Sequence, residues 1–193
     1  EEYFTSVRGY AGRALAAPTT TEYVRIMMID MLNYGAAAQV YFGHNTDALA
    51  NANLTDVLKA YATEVSGNEN ILDGGTGFVG TSLSLKENIL MNVAYNPKQI
   101  TDVTYAVVSF TDHYGNDSSM TVQRSEFVTL SATTAYIEID IMGVADYEQP
   151  VTVKLYNAAD ECVSTTIDSM ESYAVRQIEK NADVALFEAI LAF

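Results

Sequence analysis

Tryptophan is absent from this chain, and cysteine occurs once, at Cys162. A single cysteine allows no internal disulfide, so stability has to come from a packed core. Cys162 itself reads as a small apolar filler beside a hairpin. Without indole the chain lacks the side chain best suited to stack on sugar rings. Cations are scarce: 10 Lys and Arg stand against 25 Asp and Glu, for a net charge of −15. Such a surface repels phosphate backbones and anionic headgroups, so nucleic acid is not an expected partner. No stretch reaches the roughly 18 apolar residues of a membrane span, and no membrane insertion is expected. The chain reads without an export signal at its start or a sorting motif at its end, as a fragment of a longer protein also would. Two histidines, His44 and His113, are too few and too far apart for an imidazole-based zinc site.

What is present is a globular composition. Of 193 residues, 49% are hydrophobic and 18% charged, enough for one large domain or two small ones with a real core. Abundant Tyr, Thr and Asn with little Lys fit a secreted bacterial protein.

The first third reads as helix. Ser6 is placed to cap a short helix with Val7, Tyr10, Ala11 and Leu15 on one face, and Pro18 ends it. Thr19-Thr20-Thr21-Glu22 reads as a capping box in which the Thr19 hydroxyl meets the Glu22 amide. The long helix that follows carries Tyr23, Met27, Met31, Tyr34 and Ala38 on one stripe. That stripe is expected to form a buried helix–helix seam rather than a flexible binding surface. Gly35-Ala36-Ala37-Ala38 forms a strip with almost no side chain, open to close approach by another element. Gly43 sits where a left-handed C-terminal cap belongs. A turn-rich connection runs from Asn45 to Asn53, without the Gly and Glu of a calcium loop. Leu54, Val57, Leu58 and Tyr61 permit one or two further helical turns. Ser66-Gly67-Asn68-Glu69-Asn70 is the best linker.

From about Phe78 the period changes to alternation. Leu83 and Leu85 open it. Strands are then expected from Ile89 to Tyr95, Val103 to Thr111, Met120 to Val128 and Tyr136 to Ile141. Two more should cover Val151 to Leu155 and Val163 to Ile167. Ile137, Ile139 and Ile141 should face inward. Gly115 should take a positive φ in a hairpin loop at 112–117, and a second hairpin is expected at 157–161. About seven strands at this spacing suggest an antiparallel, immunoglobulin-like β-sandwich. The fold class is therefore α+β, a sandwich flanked by an N-terminal helical hairpin and C-terminal helices. The expected segments are 1–65 helical, 66–77 linker, 78–168 sandwich and 169–193 helical.

The last segment echoes the first. Ser6-Val7-Arg8-Gly9-Tyr10-Ala11-Gly12-Arg13 lies over Ser169-Met170-Glu171-Ser172-Tyr173-Ala174-Val175-Arg176, with Ser, Tyr, Ala and Arg coincident. After a shorter loop, Met31-Leu32-Asn33-Tyr34 lies over Ile190-Leu191-Ala192-Phe193. A tandem array of helix pair, sandwich and helix pair explains the match. It predicts helix at both 6–15 and 169–178, with Tyr3-Phe4 frayed or paired in a foreign way. It also predicts burial of Val184, Phe187 and Leu191 on the N-terminal helices.

These residues carry a resemblance. Ser-Val-Arg-x-Tyr-Ala, Met-Leu-Asn-Tyr-Gly-Ala-Ala-Ala-Gln-x-Tyr-Phe-Gly and Asn-Thr-Asp-x-Leu-Ala-Asn resemble a module recurring in large secreted or surface proteins of anaerobic, gut-type Gram-positive bacteria. Ser82-Leu83-Ser84-Leu85-Lys86, Val153-Lys154-Leu155-Tyr156-Asn157-Ala158-Ala159-Asp160 and Ser169-Met170-Glu171-Ser172-Tyr173-Ala174 fit it too. The resemblance covers nearly the whole chain and implies a place beside repeats, adhesion-like domains and carbohydrate-active domains. It brings no catalytic residues. Where the family has Gly after Ala158-Ala159-Asp160, this chain has Glu161, which leaves that turn type open.

One motif points elsewhere. Gly75-Thr76-Gly77-Phe78-Val79-Gly80 contains GxGxxG and resembles the start of a sugar-nucleotide dehydratase or epimerase. That chemistry needs a strand before the glycines and a helix after them. Ser82-Leu83-Ser84-Leu85 instead reads as strand, and no Tyr-x-x-x-Lys occurs. His113 beside Asp112 has no nucleophile at G-x-S-x-G spacing. Asp112, Asn116 and Asp117 could surround a cation.

The expected function is a non-catalytic extracellular spacer or adhesion unit, with no cofactor and no resident metal. Its partners would be neighbouring modules of the same chain, or a host or cell-wall glycan or protein. The alternative is a carbohydrate-binding module with Tyr95, Tyr114 and Tyr147 as candidate stacking residues. A nucleotide-sugar enzyme is the third reading.

Overall fold

A computed structural model describes residues 6–65, 72–85, 89–140 and 146–192. The chain is α+β and divides into two compact units, residues 1–67 with 174–193, and residues 68–173.

The first unit is helical. Helix α1 (Val7–Ala16) is capped by Ser6, whose hydroxyl accepts from the Gly9 N–H at 3.0 Å. Helix α2 (Glu22–Phe42) is capped by the Thr21 hydroxyl, which accepts from Val24 N–H at 3.4 Å. The cap thus falls two residues beyond the expected Thr19 box. The intervening Thr20 is used otherwise: its hydroxyl donates to the Ala14 carbonyl and ties the loop back to α1. Gly43 closes α2 in the left-handed conformation, φ 66°, as expected.

The buried face of α2 is Met28, Ile29, Leu32 and Ala36, while Tyr23 is 77% exposed. The Tyr23, Met27 stripe is therefore corrected. The helix carries two apolar stripes at helical spacing, and periodicity does not rank them. The branched and aliphatic one went inside, with Ala11, Leu15 and Leu54. On α1, likewise, Ala11 and Leu15 are buried while Val7 and Tyr10 are exposed.

The connection after α2 lies back along it. It contains a 3₁₀ turn (Thr46–Ala48) and helix α3 (Asp56–Lys59), capped by Thr55. Three polar clamps hold it. Gln39 donates through Nε2 to the Asn45 and Ala48 carbonyls, both at 3.3 Å, and accepts from Ala50 N–H at 2.7 Å. Asn51 donates to Asn33 at 3.0 Å. The buried Asp30 carboxylate accepts from Thr63 N–H at 3.1 Å and from its hydroxyl at 2.6 Å. Between the first two clamps lies Gly35, where a Cβ would stand 3.2 Å from the Ala50 Cβ. The small-residue strip is thus a site of close approach, and the connection is what approaches it.

Helix α4 (Met170–Glu179) begins in the second unit and ends in the first. Helix α5 (Val184–Ala192) packs on α2. Its buried residues are Leu186, Phe187, Ala189 and Ile190. Phe187 is inward as expected, while Val184 and Leu191 are only half-buried and Leu186, Ala189 and Ile190 take the inner places. Tyr3-Phe4 and the linker at 66–70 lie outside the described residues.

The second unit contains eight strands among the described residues: β1 (Phe78–Leu85), β2 (Ile89–Tyr95), β3 (Val103–Thr111), β4 (Asp117–Gln123), β5 (Val128–Ser131), β6 (Thr134–Ile139), β7 (Val151–Asn157) and β8 (Cys162–Asp168). They form two antiparallel four-stranded sheets, ordered β1-β2-β6-β5 and β4-β3-β7-β8. One core joins both: Met91, Val93, Ile137 and Ile139 from the first sheet meet Val108, Val153 and Leu155 from the second. Ile137 and Ile139 are 1% and 0% exposed. Ile141 lies outside the described residues.

The strand expected at Met120 to Val128 is two strands in different sheets. A 3₁₀ turn at Arg124–Glu126 separates them: β4 pairs with β3, and β5 pairs with β6. Glu126 caps this turn by accepting from the Gln123 N–H at 2.7 Å, a signal absent from hydrophobic periodicity.

Strand β8 faces inward with its polar residues. Ser164, Thr166 and Asp168 are buried and pair across from Leu155, Val153 and Val151. Two of them, Ser164 and Asp168, find partners on β1 and the segment entering it. Ser164 donates to the Thr76 carbonyl at 2.7 Å, and Asp168 accepts from the Thr81 hydroxyl at 2.6 Å. Asp73 makes a two-way backbone bridge with Ile167. The entering chain therefore lies along the β8 edge before crossing into the other sheet, covering an edge that would otherwise be open.

Candidate functional site

The glycine-rich stretch is the first place where chemistry could sit. Strand β1, not a helix, follows it. A phosphate site of the dinucleotide-binding kind needs a helix N-terminus there. The glycines have local reasons instead. A Cβ at Gly75 would stand 2.1 Å from the Thr165 carbonyl oxygen, and Gly77 has φ 72° with Ile100 against it. At Gly80 a Cβ would meet nothing within 4 Å.

The hairpin between β3 and β4 gathers several titratable groups, Asp112, His113, Tyr114 and Asp117. Gly115 has φ 84°, as expected for this loop. Asp112 Oδ1 accepts from Tyr114 N–H at 2.9 Å and Asn116 N–H at 2.7 Å, and its Oδ2 accepts from the Asn116 side chain at 2.9 Å. These bonds, the Asn116 side chain foremost, hold the Asp112 carboxyl below the usual aspartate range. Asp117 accepts from the Thr111 hydroxyl at 2.9 Å. The carboxylates suggested for a cation are thus occupied by the loop's own donors. Among the described residues no group of three or more His, Cys, Asp or Glu is placed to hold a metal.

His113 belongs to a different pair from the one its neighbour in sequence suggests. Its Nδ1 lies 2.6 Å from Asp146 Oδ1, and its backbone N–H donates to the same oxygen at 2.9 Å. Asp146 is 7% exposed, so it anchors the imidazole from within the unit. Sequence separation hid this contact.

The structure scatters the three candidate stacking tyrosines. Tyr95 is 3% exposed, edge-on to Phe127 with ring centroids 5.9 Å apart. A ring enclosed in the core has no free face for a sugar. Tyr147 is half-buried and packs against the same core. Burial raises both phenols above their ordinary range. Tyr114 is 80% exposed on the hairpin, its ring centroid 3.8 Å from that of His113.

A different pair is brought together on the outer face of the β4-β3-β7-β8 sheet. Tyr105 and Tyr156 are cross-strand partners whose rings lie parallel within 5°, with centroids 5.0 Å apart. The Tyr105 hydroxyl donates to Asp160 at 3.2 Å. Loss of solvent and the Asp160 carboxylate raise the Tyr105 phenol above its ordinary range. The register of β3 against β7 places them side by side. Cys162, on neighbouring β8, is exposed and free, which corrects its reading as a core filler.

The helical unit holds a groove of about 890 Å³. Ala36, Ala37, Val40 and Tyr41 of α2 face Ala185 and Ala189 of α5 across it. Asp30, Glu64, Asp183 and Glu188 complete the lining, with no Lys, Arg or His among its residues. Such a lining admits neutral or cationic groups and repels anionic ones.

Among the described residues no helix is long and apolar enough to cross a membrane. No family model, curated protein or solved structure matches the chain.

Proposed function

We propose that this chain is a non-catalytic extracellular module, a spacer or adhesion unit of a secreted or surface protein, built around an immunoglobulin-like sandwich. The observation that carries the reading is the strand order. Taken as A to G with one extra strand after C, β1-β2-β6-β5 is the A-B-E-D sheet and β4-β3-β7-β8 is C′-C-F-G. The repeat adds to it: α1 and α4 are both 10-residue helices that start one residue after a capping serine. Units that recur around a sandwich serve as spacers and as platforms for recognition. Asp112 and Asp117 are held by donors of their own hairpin and His113 by the buried Asp146, which suits a structural role. The resemblance to modules of anaerobic Gram-positive surface proteins supports a location outside the cell, beside neighbouring modules. The test is labelling of intact producer cells with an antibody raised against the purified chain. Signal on unpermeabilised cells or in culture supernatant supports the reading, and signal only after lysis rejects it.

A second reading, carbohydrate binding, rests on Tyr105 and Tyr156. Two parallel rings on a sheet face with a carboxylate at one end suit a sugar's apolar face and hydroxyls. A glycan array probed with the chain and with Tyr156→Ser separates the two readings. Glycan signal lost in the variant favours binding, and no signal from either protein leaves the spacer reading.

A further inference from the structure

The two repeated helices differ in one respect. In α4 the first turn is enclosed by the two-sheet unit. Ser169 is 0%, Met170 4% and Ser172 2% exposed, and Met170 belongs to the core that both sheets share. The Glu171 N–H, an orphan donor of the first turn, is taken up by the Tyr147 carbonyl at 3.1 Å. In α1 the corresponding residues are uncovered. Val7 stands where Met170 does and is 64% exposed; Tyr10 stands where Tyr173 does and is 55% exposed. Ser6 is exposed, and the Arg8 N–H, equivalent to that of Glu171, has no partner among the described residues. The deeper positions agree: Ala11 and Ala174 are both 0% exposed. The helices therefore match in cap, length and buried alanine, and differ on the first-turn face that α4 gives to the two-sheet unit.

We infer that the first-turn face of α1, formed by Ser6, Val7 and Tyr10, is a docking surface for a second copy of the two-sheet unit, joined to α1 as β8 is joined to α4. The occupant is fixed by this chain's own example. A helix with this cap and this apolar first turn is seated in the sandwich core at one end of the repeat, and the same face is bare at the other. An exposed Val and Tyr, beside an N–H with no partner among the described residues, match a socket with an apolar floor and one carbonyl acceptor, which is what Met170 and Glu171 find. The inference rests on the repeat and not on extracellular placement, so a failed cell-labelling experiment leaves it standing.

The test compares the 193-residue chain with a tandem in which residues 1–168 are followed directly by residues 6–193, so that Ser6 takes the place of Ser169. Both carry Cys162→Ser and Val7→Cys. In the tandem the Val7→Cys substitution is made only in the second copy. In the single chain the Val7→Cys thiol should react with a maleimide at the rate of an exposed thiol. In the tandem it should react at least tenfold more slowly. Equal rates overturn the inference. As a second reading, Val7→Asp should leave the Tm of the single chain unchanged and should lower the Tm of the tandem's upstream sandwich. An unchanged tandem overturns the inference. So does a tandem whose upstream sandwich fails to protect its Ile137 and Val153 amides from hydrogen exchange, because α1 would then be no substitute for α4.

Discussion

Gly115 and Asp160 occupy the same position in two hairpins of one design. In the first, Asp112 N–H donates to the Asn116 carbonyl at 2.9 Å and Gly115 N–H to the Asp112 carbonyl at 2.9 Å. In the second, Asn157 N–H donates to the Glu161 carbonyl at 3.1 Å and Asp160 N–H to the Asn157 carbonyl at 3.2 Å. The leading side chain gathers the same two backbone donors in each: Asp112 from Tyr114 and Asn116, Asn157 from Ala159 and Glu161. This is the three-residue hairpin loop with a left-handed residue before the returning strand. Glu161, which leaves the turn open on sequence grounds, is that returning residue, and Asp160 takes the left-handed place at φ 59°.

Glycine suits that place and aspartate tolerates it. Asp160→Gly should therefore leave the fold intact and change stability little or raise it, by up to about 1 kcal/mol. Gly115→Val, with φ 84° imposed on a β-branched residue, should cost about 1–2 kcal/mol. Urea melts of both variants check the pair. Equal losses would mean that the loops are not equivalent.

The Gly35 contact is also measurable. A Cβ added there would stand 3.2 Å from the Ala50 Cβ, so Gly35→Leu has to push the 45–65 connection off α2. It should cost roughly 1–3 kcal/mol through overpacking. Ala50→Gly should recover part of the loss, and the double-mutant cycle reads the coupling.

Asp112 gives a pH dependence with a fixed sign. Its folded pKa is lowered, so its contribution is full above the ordinary aspartate value of about 3.9. That contribution is lost as the pH falls through the lower folded value. Asp112→Asn keeps an oxygen for the two backbone donors, as Asn157 does. The variant should therefore melt below the wild type at neutral pH, with the gap closing under strong acid. A gap independent of pH would assign the difference to packing.

What the sequence made legible followed from local chemistry. Ser6, Gly43 and Gly115 announce their roles because a cap or a positive φ needs few neighbours. Ile137 and Ile139 announce theirs because alternation has one inner face. The α2 seam was misplaced because two apolar stripes competed, and only tertiary contacts chose Ile29 and Leu32. Ser164, Thr166 and Asp168 were unreadable as inward residues. A polar set faces a core only when distant donors and acceptors satisfy it, and Thr76 and Thr81 lie 88 and 87 residues away. The Tyr105–Tyr156 pair and the His113–Asp146 contact depend on register and on long-range closure in the same way.

The glycine motif offers the sharpest separation of readings. If Gly75, Gly77 and Gly80 cradled a phosphate, all three would matter together, because each lets the backbone or a helix approach the ligand. The structure assigns them unequal work. Gly75→Ala drives a Cβ into the Thr165 carbonyl at 2.1 Å and should lift the 73–76 segment from β8. That also strips Ser164 of its acceptor, so the loss should reach about 2–3 kcal/mol. Gly77→Ala meets both an unfavourable φ and Ile100 at 2.7 Å and should cost about 1–3 kcal/mol. Gly80→Ala meets nothing within 4 Å and should stay within about 0.5 kcal/mol of the wild type. Thermal melts of the three variants, with titration of the wild type by a nucleoside diphosphate sugar, decide the matter. A flat titration with unequal melts in this order supports the edge-covering role. Saturable binding lost in Gly80→Ala would return the segment to phosphate chemistry.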